Sequence, residues 1–237
     1  MARPLMRILV TRPQEDSREI SQMLEALGHR VVSAPLLHIR FYDGPDISLD
    51  GVQVVLATSA NGVRAIARRT PRRDVPLFAV GPQTEAEARA AGFTHIKNAN
   101  GDGAALARAT AEWVKPEGGA LLHAAGAEAP KLLVSELEKN GFIVRREVLY
   151  EAQAVQRLPN AAAEALKSGE LDAVMHFSSR SARTFADCAT REGLAAACEK
   201  LIAVCISEAA ANALSPLHFR EIRIAKAPNQ QALLELL

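Results

Sequence analysis

The sequence predicts an α/β protein in which one parallel-sheet unit is present twice. Short β-rich apolar runs alternate with helical segments along the chain, the pattern of parallel strands joined by helices. Long stretches of the first half can be laid on the second half without a gap. Aromatic content is only 4% and the helical segments are rich in alanine, which suits compact α/β layers.

Arg7-Ile8-Leu9-Val10-Thr11 reads as the first strand. Pro13 then fits the first turn of a helix whose apolar residues Ile20, Met23, Leu24 and Leu27 keep i, i+3, i+4, i+7 spacing, and Gly28 ends it. Val31-Val32 begins a second strand. The same order of signals predicts strands over Val52–Ala57, Leu77–Val80, Ala120–His123, Ile143–Val148, Ala173–Phe177 and Ile202–Ile206.

The repeat is both literal and physical. Arg7–Leu37 lies on Ala120–Tyr150 at a constant offset of 113, which places Gly28 on Gly141 and Leu37 on Tyr150. "VLATSANGVRAIA" from Val55 lies on "VMHFSSRSARTFA" from Val174 at an offset of 119, with Ser59 on Ser178 and Arg64 on Arg183. A third block pairs "FAVGPQTEAEA" with "VCISEAAANAL" in a register open by two residues, and Gly101–Leu106 resembles Pro228–Leu233. The blocks therefore run a, b, a′, b′, which permits sequential pairing or a crossed pairing of a with b′ and b with a′. Leu36–Pro45 and Tyr150–Pro159, between the blocks, are the connections.

Composition narrows the function. With 237 residues, 49% hydrophobic, 23% charged and a net charge of +1, the chain is a globular protein with no global field to recruit nucleic acid or an anionic membrane. Cys188, Cys198 and Cys205 form no CxxC pair and are odd in number, which suits reduced thiols in the cytoplasm. The apolar run Ile8-Leu9-Val10 is too short for a signal-peptide core, and no stretch is apolar over the length of a membrane span. The first turn, Thr11-Arg12-Pro13-Gln14-Glu15, lacks the glycines of a dinucleotide fold. Gly126–Lys131 only superficially resembles a phosphate loop, because the second glycine and the final Gly-Lys-Ser/Thr are missing. The six histidines show no metal-binding spacing. His123 and His176 fall at strand ends, where a buried, hydrogen-bonded histidine is the expectation.

What remains is a set of small polar residues at strand-to-helix turns: Thr11-Arg12, Thr58–Gly62, Gly81–Thr84, Gly101–Gly103 and Ser178–Ser181. For any one of them helix capping is the simpler role. Together they place many helix N-termini beyond the carboxyl ends of parallel strands, where an anionic ligand binds.

These residues, in this order, resemble the uroporphyrinogen-III synthase family over nearly the whole chain. The likeness rests on "ILVTRP", "TSANGV", "AVGPQTEAEARAAGF", "GDGAAL", "LLHAAG…KNGFIVRREVLYEAQ" and "FSSRSARTF" followed by "CISEAAANAL". It implies two flavodoxin-like α/β domains of crossed connectivity joined by a two-stranded linker. Residues 1–36 with 154–237 would form one domain and 40–149 the other, with linkers near 37–39 and 150–153. It implies cyclisation of hydroxymethylbilane, a linear tetrapyrrole with eight carboxylates, to uroporphyrinogen III in an interdomain cleft. Water is lost, the last ring is inverted and no cofactor or metal is required. The cysteines and the short apolar run predict a cytoplasmic protein, a hinge between two lobes goes with a monomer, and the preceding enzyme of tetrapyrrole synthesis is the expected transient partner.

On the same resemblance Tyr150 matches the tyrosine that the family places beside the cleft. It is the candidate general acid, with packing of the interdomain ladder as its alternative role. Thr11, Arg12, Ser59, Asn61, Gly81, Thr84, Gly126, Ser178 and Ser179 are implied to line the substrate site. Two departures stand out. Where the family often carries a basic residue four positions after the glycine of "AAG", this chain has Pro130 followed by Lys131, and Ser207-Glu208-Ala209-Ala210 replaces a more usual Gly-x-Thr turn, so no essential side chain is expected from that loop. The alternative function is a non-catalytic two-domain small-molecule binding or sensor protein.

Overall fold

The computed structural model describes residues 5–237. Its elements run β1 (Arg7–Val10), α1 (Gln14–Ala26), β2 (Arg30–Ser33), β3 (Leu37–Phe41), β4 (Val52–Ala57), α2 (Ala60–Arg69), β5 (Leu77–Ala79), α3 (Pro82–Ala90) and β6 (Ile96–Asn98). They continue with α4 (Gly103–Trp113), β7 (Ala120–Gly126), α5 (Leu132–Lys139), β8 (Val144–Ala154), α6 (Asn160–Lys167) and β9 (Ala173–His176). The chain ends with α7 (Ser179–Arg191), α8 (Ala195–Cys198), β10 (Ile202–Cys205), α9 (Glu208–Asn212), β11 (Glu221–Ile224) and α10 (Gln230–Leu234).

Two compact units result. The first holds the described residues up to His38 together with Gln153–Leu237, and the second holds Ile39–Ala152. The first unit's sheet has the order β2-β1-β9-β10-β11, and the second runs β3-β8-β7-β4-β5-β6. Under the sequence repeat, β7, β8, β4, β5 and β6 correspond to β1, β2, β9, β10 and β11, so both units share the flavodoxin-like order 2-1-3-4-5. The crossed pairing is the one observed: β1 pairs in parallel with β9 (Leu9 with Val174), and β4 with β7 (Leu56 with His123).

Local chemistry explains the match between the repeats. α1 ends in a Schellman motif in which the Gly28 N–H donates to Glu25 O (2.9 Å) and the His29 N–H to Leu24 O (3.0 Å). α5 ends the same way, with Gly141 donating to Glu138 O (3.0 Å) and Phe142 to Leu137 O (3.1 Å). Both glycines need positive φ, 91° and 83°, which is why they align. The uncertain third block is fixed by helix starts: Gly81 caps α3 and Ser207 caps α9 with nearly the same extended backbone, and Asp102 and Asn229 cap α4 and α10.

Each sheet is buried on both faces, as its continuous apolar strands require. Leu9 packs with Phe185, Val174 and Ala203 on one side of the first sheet, while Ile8 and Val10 pack with Ile20, Leu24 and Met175 on the other. In the second unit Val55 and Ala57 join the cluster under α2, and Val54 and Leu56 join Leu106, Leu121 and Leu133.

Several expectations need correction. In α1 only Ile20 and Leu24 of the apolar set are fully buried, whereas Met23 and Leu27 are exposed, and Pro13 is the residue before the helix rather than part of its first turn. β6 and β11 are short edge strands carrying exposed Lys97 and Glu221, too polar to stand out as apolar runs. β3 lies inside the first connection, and β8 continues to Ala154, well past Val148. Tyr42 N–H donates to Leu149 O (2.8 Å) and Val155 N–H to Leu36 O (3.0 Å), so these segments pair antiparallel, one rising as the other falls.

Close approach in the second unit yields a prediction. A Cβ built on Gly62, in the first turn of α2, would stand 2.6 Å from the carbonyl oxygen of Ala124 in β7. Gly62→Ala is therefore destabilising despite alanine's better helix propensity, by about 1–3 kcal/mol of overpacking. A thermal melt with an unchanged or raised midpoint would contradict this packing.

Candidate functional site

The carboxyl ends of the parallel strands gather the polar residues of each unit. In the second unit β4 runs out through Thr58 into Ser59, whose extended backbone makes it the N-cap of α2. Its hydroxyl oxygen accepts from the Gly62 N–H at 3.1 Å, satisfying one orphan amide. The same oxygen lies 2.7 Å from the Tyr150 phenol oxygen on β8. Because one lone pair of Ser59 Oγ is taken by the cap, its short contact with the phenol makes a defined polar pair rather than a solvated one.

Tyr150 is half-buried, and this burial raises its pKa above the ordinary value of 10.0, opposed by the hydrogen bond shared with Ser59. The phenol is protonated at neutral pH and has a proton to give. Its ring lies against Gly126 at the end of β7: a Cβ there would come within 2.8 Å of Tyr150 Cζ and 3.0 Å of Oη, so only glycine permits this placement. Phe41, on β3, sits on the ring's other neighbourhood at 6.3 Å between centroids.

Around this pair, Asn61 Oδ1 accepts from Arg64 Nη1 (2.9 Å), and Arg64 Nη2 donates to Glu87 Oε2 (2.6 Å), tying α2 to α3. Thr84 is buried in the first turn of α3. Gly81 needs no left-handed backbone, and a Cβ on it would meet nothing within 4 Å, so the α3 N-terminus is left open on that side.

In the first unit, Thr11 is buried beyond β1 and its hydroxyl donates to Met175 O at 2.7 Å. Arg12 donates to Gln230 Oε1 (2.6 Å), and its guanidinium lies 4.8 Å from the centre of the Phe177 ring. Ser178 caps α7 by accepting from the Ser181 N–H (3.1 Å), and Ser179 is exposed in the first turn. Ser207 caps α9, its hydroxyl oxygen accepting from the Ala210 N–H at 3.3 Å.

A model of the family described as uroporphyrinogen-III synthase HemD matches residues 18–235. The chain belongs to the uroporphyrinogen-III synthase family. Family membership makes it a lyase-type enzyme of tetrapyrrole synthesis and sets aside the reading as a binding or sensor module. Comparison with curated protein sequences finds no match. Among solved structures, uroporphyrinogen-III synthetase from Helicobacter pylori is similar at 16% identity and a TM-score of 0.65, with 98% of each chain covered. A mutant uroporphyrinogen III synthase from Thermus thermophilus is similar at 17% identity and a TM-score of 0.55, with 97% of this chain and 96% of that one covered. At these identities the likeness speaks for the two-domain α/β fold.

Within this synthase-family chain, the structure brings Ser59, Gly126 and Tyr150 together directly, and it places Asn61, Gly81 and Thr84 at the neighbouring helix starts of the same unit. Thr11, Arg12, Ser178 and Ser179 stand at the corresponding strand ends of the first unit. Sequence reasoning passed over Gln230, the partner of Arg12, and Arg146, which donates to Gly126 O at 3.1 Å. The Arg-Arg pair at 145–146 inside an apolar strand was the available signal for the second.

The two strand-end histidines are fully buried, as expected, but each is hydrogen-bonded on one side only. His176 Nδ1 lies 3.4 Å from Thr11 Oγ1, and since Thr11 gives its proton to Met175, the ring donates there and Nε2 has no partner among the described residues. His123 Nε2 lies 3.4 Å from Thr58 Oγ1, and Nδ1 has no partner. Burial holds His176 down at about 3, and burial with the nearby Arg146 holds His123 down at about 4. Both rings are neutral in the folded protein at neutral pH.

Between those values and the ordinary histidine value the unfolded chain binds protons that the folded one refuses. Stability is therefore full above about pH 6.5 and falls with decreasing pH, by about 2 kcal/mol per histidine at pH 5. Urea midpoints at pH 7 and pH 5 check this. They should diverge in the natural protein and less so in His176→Leu, whereas equal midpoints in the natural protein would contradict neutral burial.

Proposed function

We propose that Tyr150 is the general acid of the reaction by which hydroxymethylbilane is cyclised to uroporphyrinogen III. The observation that carries this is the 2.7 Å contact between its phenol and the capped Ser59 hydroxyl, on a partly buried ring whose phenol, like any tyrosine's, is protonated at neutral pH. The pyrrole nitrogen pushes electron density toward the terminal carbon. The C–O bond breaks, and the hydroxyl takes the phenol proton and leaves as water. The resulting azafulvene is attacked by the substituted α-carbon of the last pyrrole ring; the older methylene bond at that carbon then breaks and re-forms at the ring's free α-carbon, which inverts the ring, and the proton lost there as aromaticity returns goes back to the phenolate.

Thr11, Arg12, Asn61, Gly81, Thr84, Ser178 and Ser179 then bind substrate carboxylates and pyrrole N–H groups, several through backbone amides at helix starts. Selection of the inverted isomer asks little energy. A hundredfold preference corresponds to about 2.7 kcal/mol in relative barrier height, and one or two charge-assisted hydrogen bonds are worth about 1.5–3 kcal/mol each.

The test is to supply the purified protein with freshly generated hydroxymethylbilane, oxidise the products and separate type I from type III porphyrins. The natural protein gives a type III excess. Tyr150→Phe lowers kcat by about a hundredfold or more with little change in KM, as expected for a lost general acid. Full activity in that variant would leave Tyr150 a packing residue.

We also propose that the enzyme works as a cytoplasmic monomer that receives its substrate from the preceding enzyme. The three buried cysteines, none in a disulfide and each with a raised pKa, support a reducing compartment. Light scattering should return the 25.4 kDa of one chain, and a dimer mass would overturn the monomer. No helix among the described residues is long and apolar enough to cross a membrane.

A further inference from the structure

We propose that Arg146 is a positioning residue for the reaction, clamping the peptide on which the Tyr150 ring is seated. This rests on the reading of Tyr150 as the general acid. Arg146 lies on β8 opposite His123 of β7 and has no carboxylate partner among the described residues. Its Nε is buried without a hydrogen-bond partner. A half-buried guanidinium with no anion is costly, and such a group is ordinarily paired. What it does touch is the turn after β7: Nη2 donates to Gly126 O at 3.1 Å, with Ala127 O at 3.5 Å.

That turn is where the β7–β8 ladder loses its regular register, shifting between Ala125 and Gly126 so that Gly126 pairs with Tyr150. The peptide between Gly126 and Ala127 is held from both ends. Its carbonyl accepts from Arg146, and its N–H donates to Tyr150 O at 2.8 Å. The Cα of Gly126 is the surface on which the phenol ring lies. Rotation of this one peptide would move the floor beneath the ring, and the phenol with it, relative to Ser59. Small displacements of this kind lower kcat without weakening substrate binding.

The repeat supplies an internal control. At the offset of 113, Arg146, Gly126 and Tyr150 fall on Ser33, Pro13 and Leu37. The first unit builds the same five-stranded order without any of the three, so the fold does not demand an arginine at this position. The three residues occur together, in the unit that carries the phenol.

The experiment combines a double-mutant cycle with a spectroscopic reading. Arg146→Gln is expected to lower kcat about tenfold with KM within twofold, Arg146→Lys to recover part of the loss, and the double variant with Tyr150→Phe to be no slower than Tyr150→Phe alone. The chain has only two tyrosines. Ring-labelled ¹³C tyrosine, assigned with Tyr42→Phe, therefore follows Tyr150 directly, and its resonance should move toward the free value in Arg146→Gln. Losses that multiply in the double variant, a rise in KM at constant kcat, or an unmoved Tyr150 resonance would each overturn the proposal. If Tyr150→Phe alone proves fully active, the general-acid reading fails, and the resonance still decides whether Arg146 holds the ring.

Discussion

The parallel pairing of β1 with β9, and of β4 with β7, is what turns four chain segments into two closed cores. A strand-helix-strand block such as Arg7–Ser33 has two strands and only one helix, so it cannot cover both faces of its own sheet. β9, β10 and β11, with α7 and α9 behind them, supply the missing layer, and Leu9, Val174 and Phe185 are fully buried only because the crossing brings them together. The second unit repeats the arrangement with β7 and β8 added to β4, β5 and β6. Crossed connectivity also obliges the chain to pass between units twice, and those two passages pair as β3 and β8.

From that pairing follows the placement of the polar residues. Parallel strands all release the chain at one edge, so every strand-to-helix turn of a unit opens on that edge. Capping serves the fold at Ser59, Ser178, Ser207, Asp102 and Asn229, where a side-chain oxygen accepts from the amide three residues on. One of these caps has a further partner from another element. Ser59 has the Tyr150 phenol, whereas Ser178 has only Ser181. The two units thus differ in chemistry while agreeing in topology. The same holds for the buried histidines, one on β9 beside Thr11 and one on β7 beside Thr58, on strands that are not equivalent in the repeat.

The α/β class, the repeat and eight of the strands were legible because they rest on short-range chemistry. Apolar runs, glycines that need positive φ at Gly28 and Gly141, and serines with cap geometry at Ser59 and Ser178 all leave residue-type signatures. The edge strands β6 and β11 did not, since Ile96–Asn98 and Glu221–Ile224 are short, carry exposed polar residues and are buried on one side only. Within α1 the spacing of four apolar residues was right, but Met23 and Leu27 point away from the sheet, and periodicity alone does not say how wide the buried stripe is.

Residue pattern alone left the pairing of the blocks open, because a, b, a′, b′ satisfies either connection equally well. Strand pairing across more than a hundred residues chose between them, and only packing in three dimensions carries that information. The family resemblance singled out Tyr150, Ser59 and Gly126 from positions in a pattern. That the phenol meets the Ser59 hydroxyl and rests on Gly126, whose carbonyl accepts from Arg146, depends on a β8 longer than its apolar core and on a register shift at its end. Neither is encoded in residue type, since a strand's length and register are set by the neighbours it pairs with.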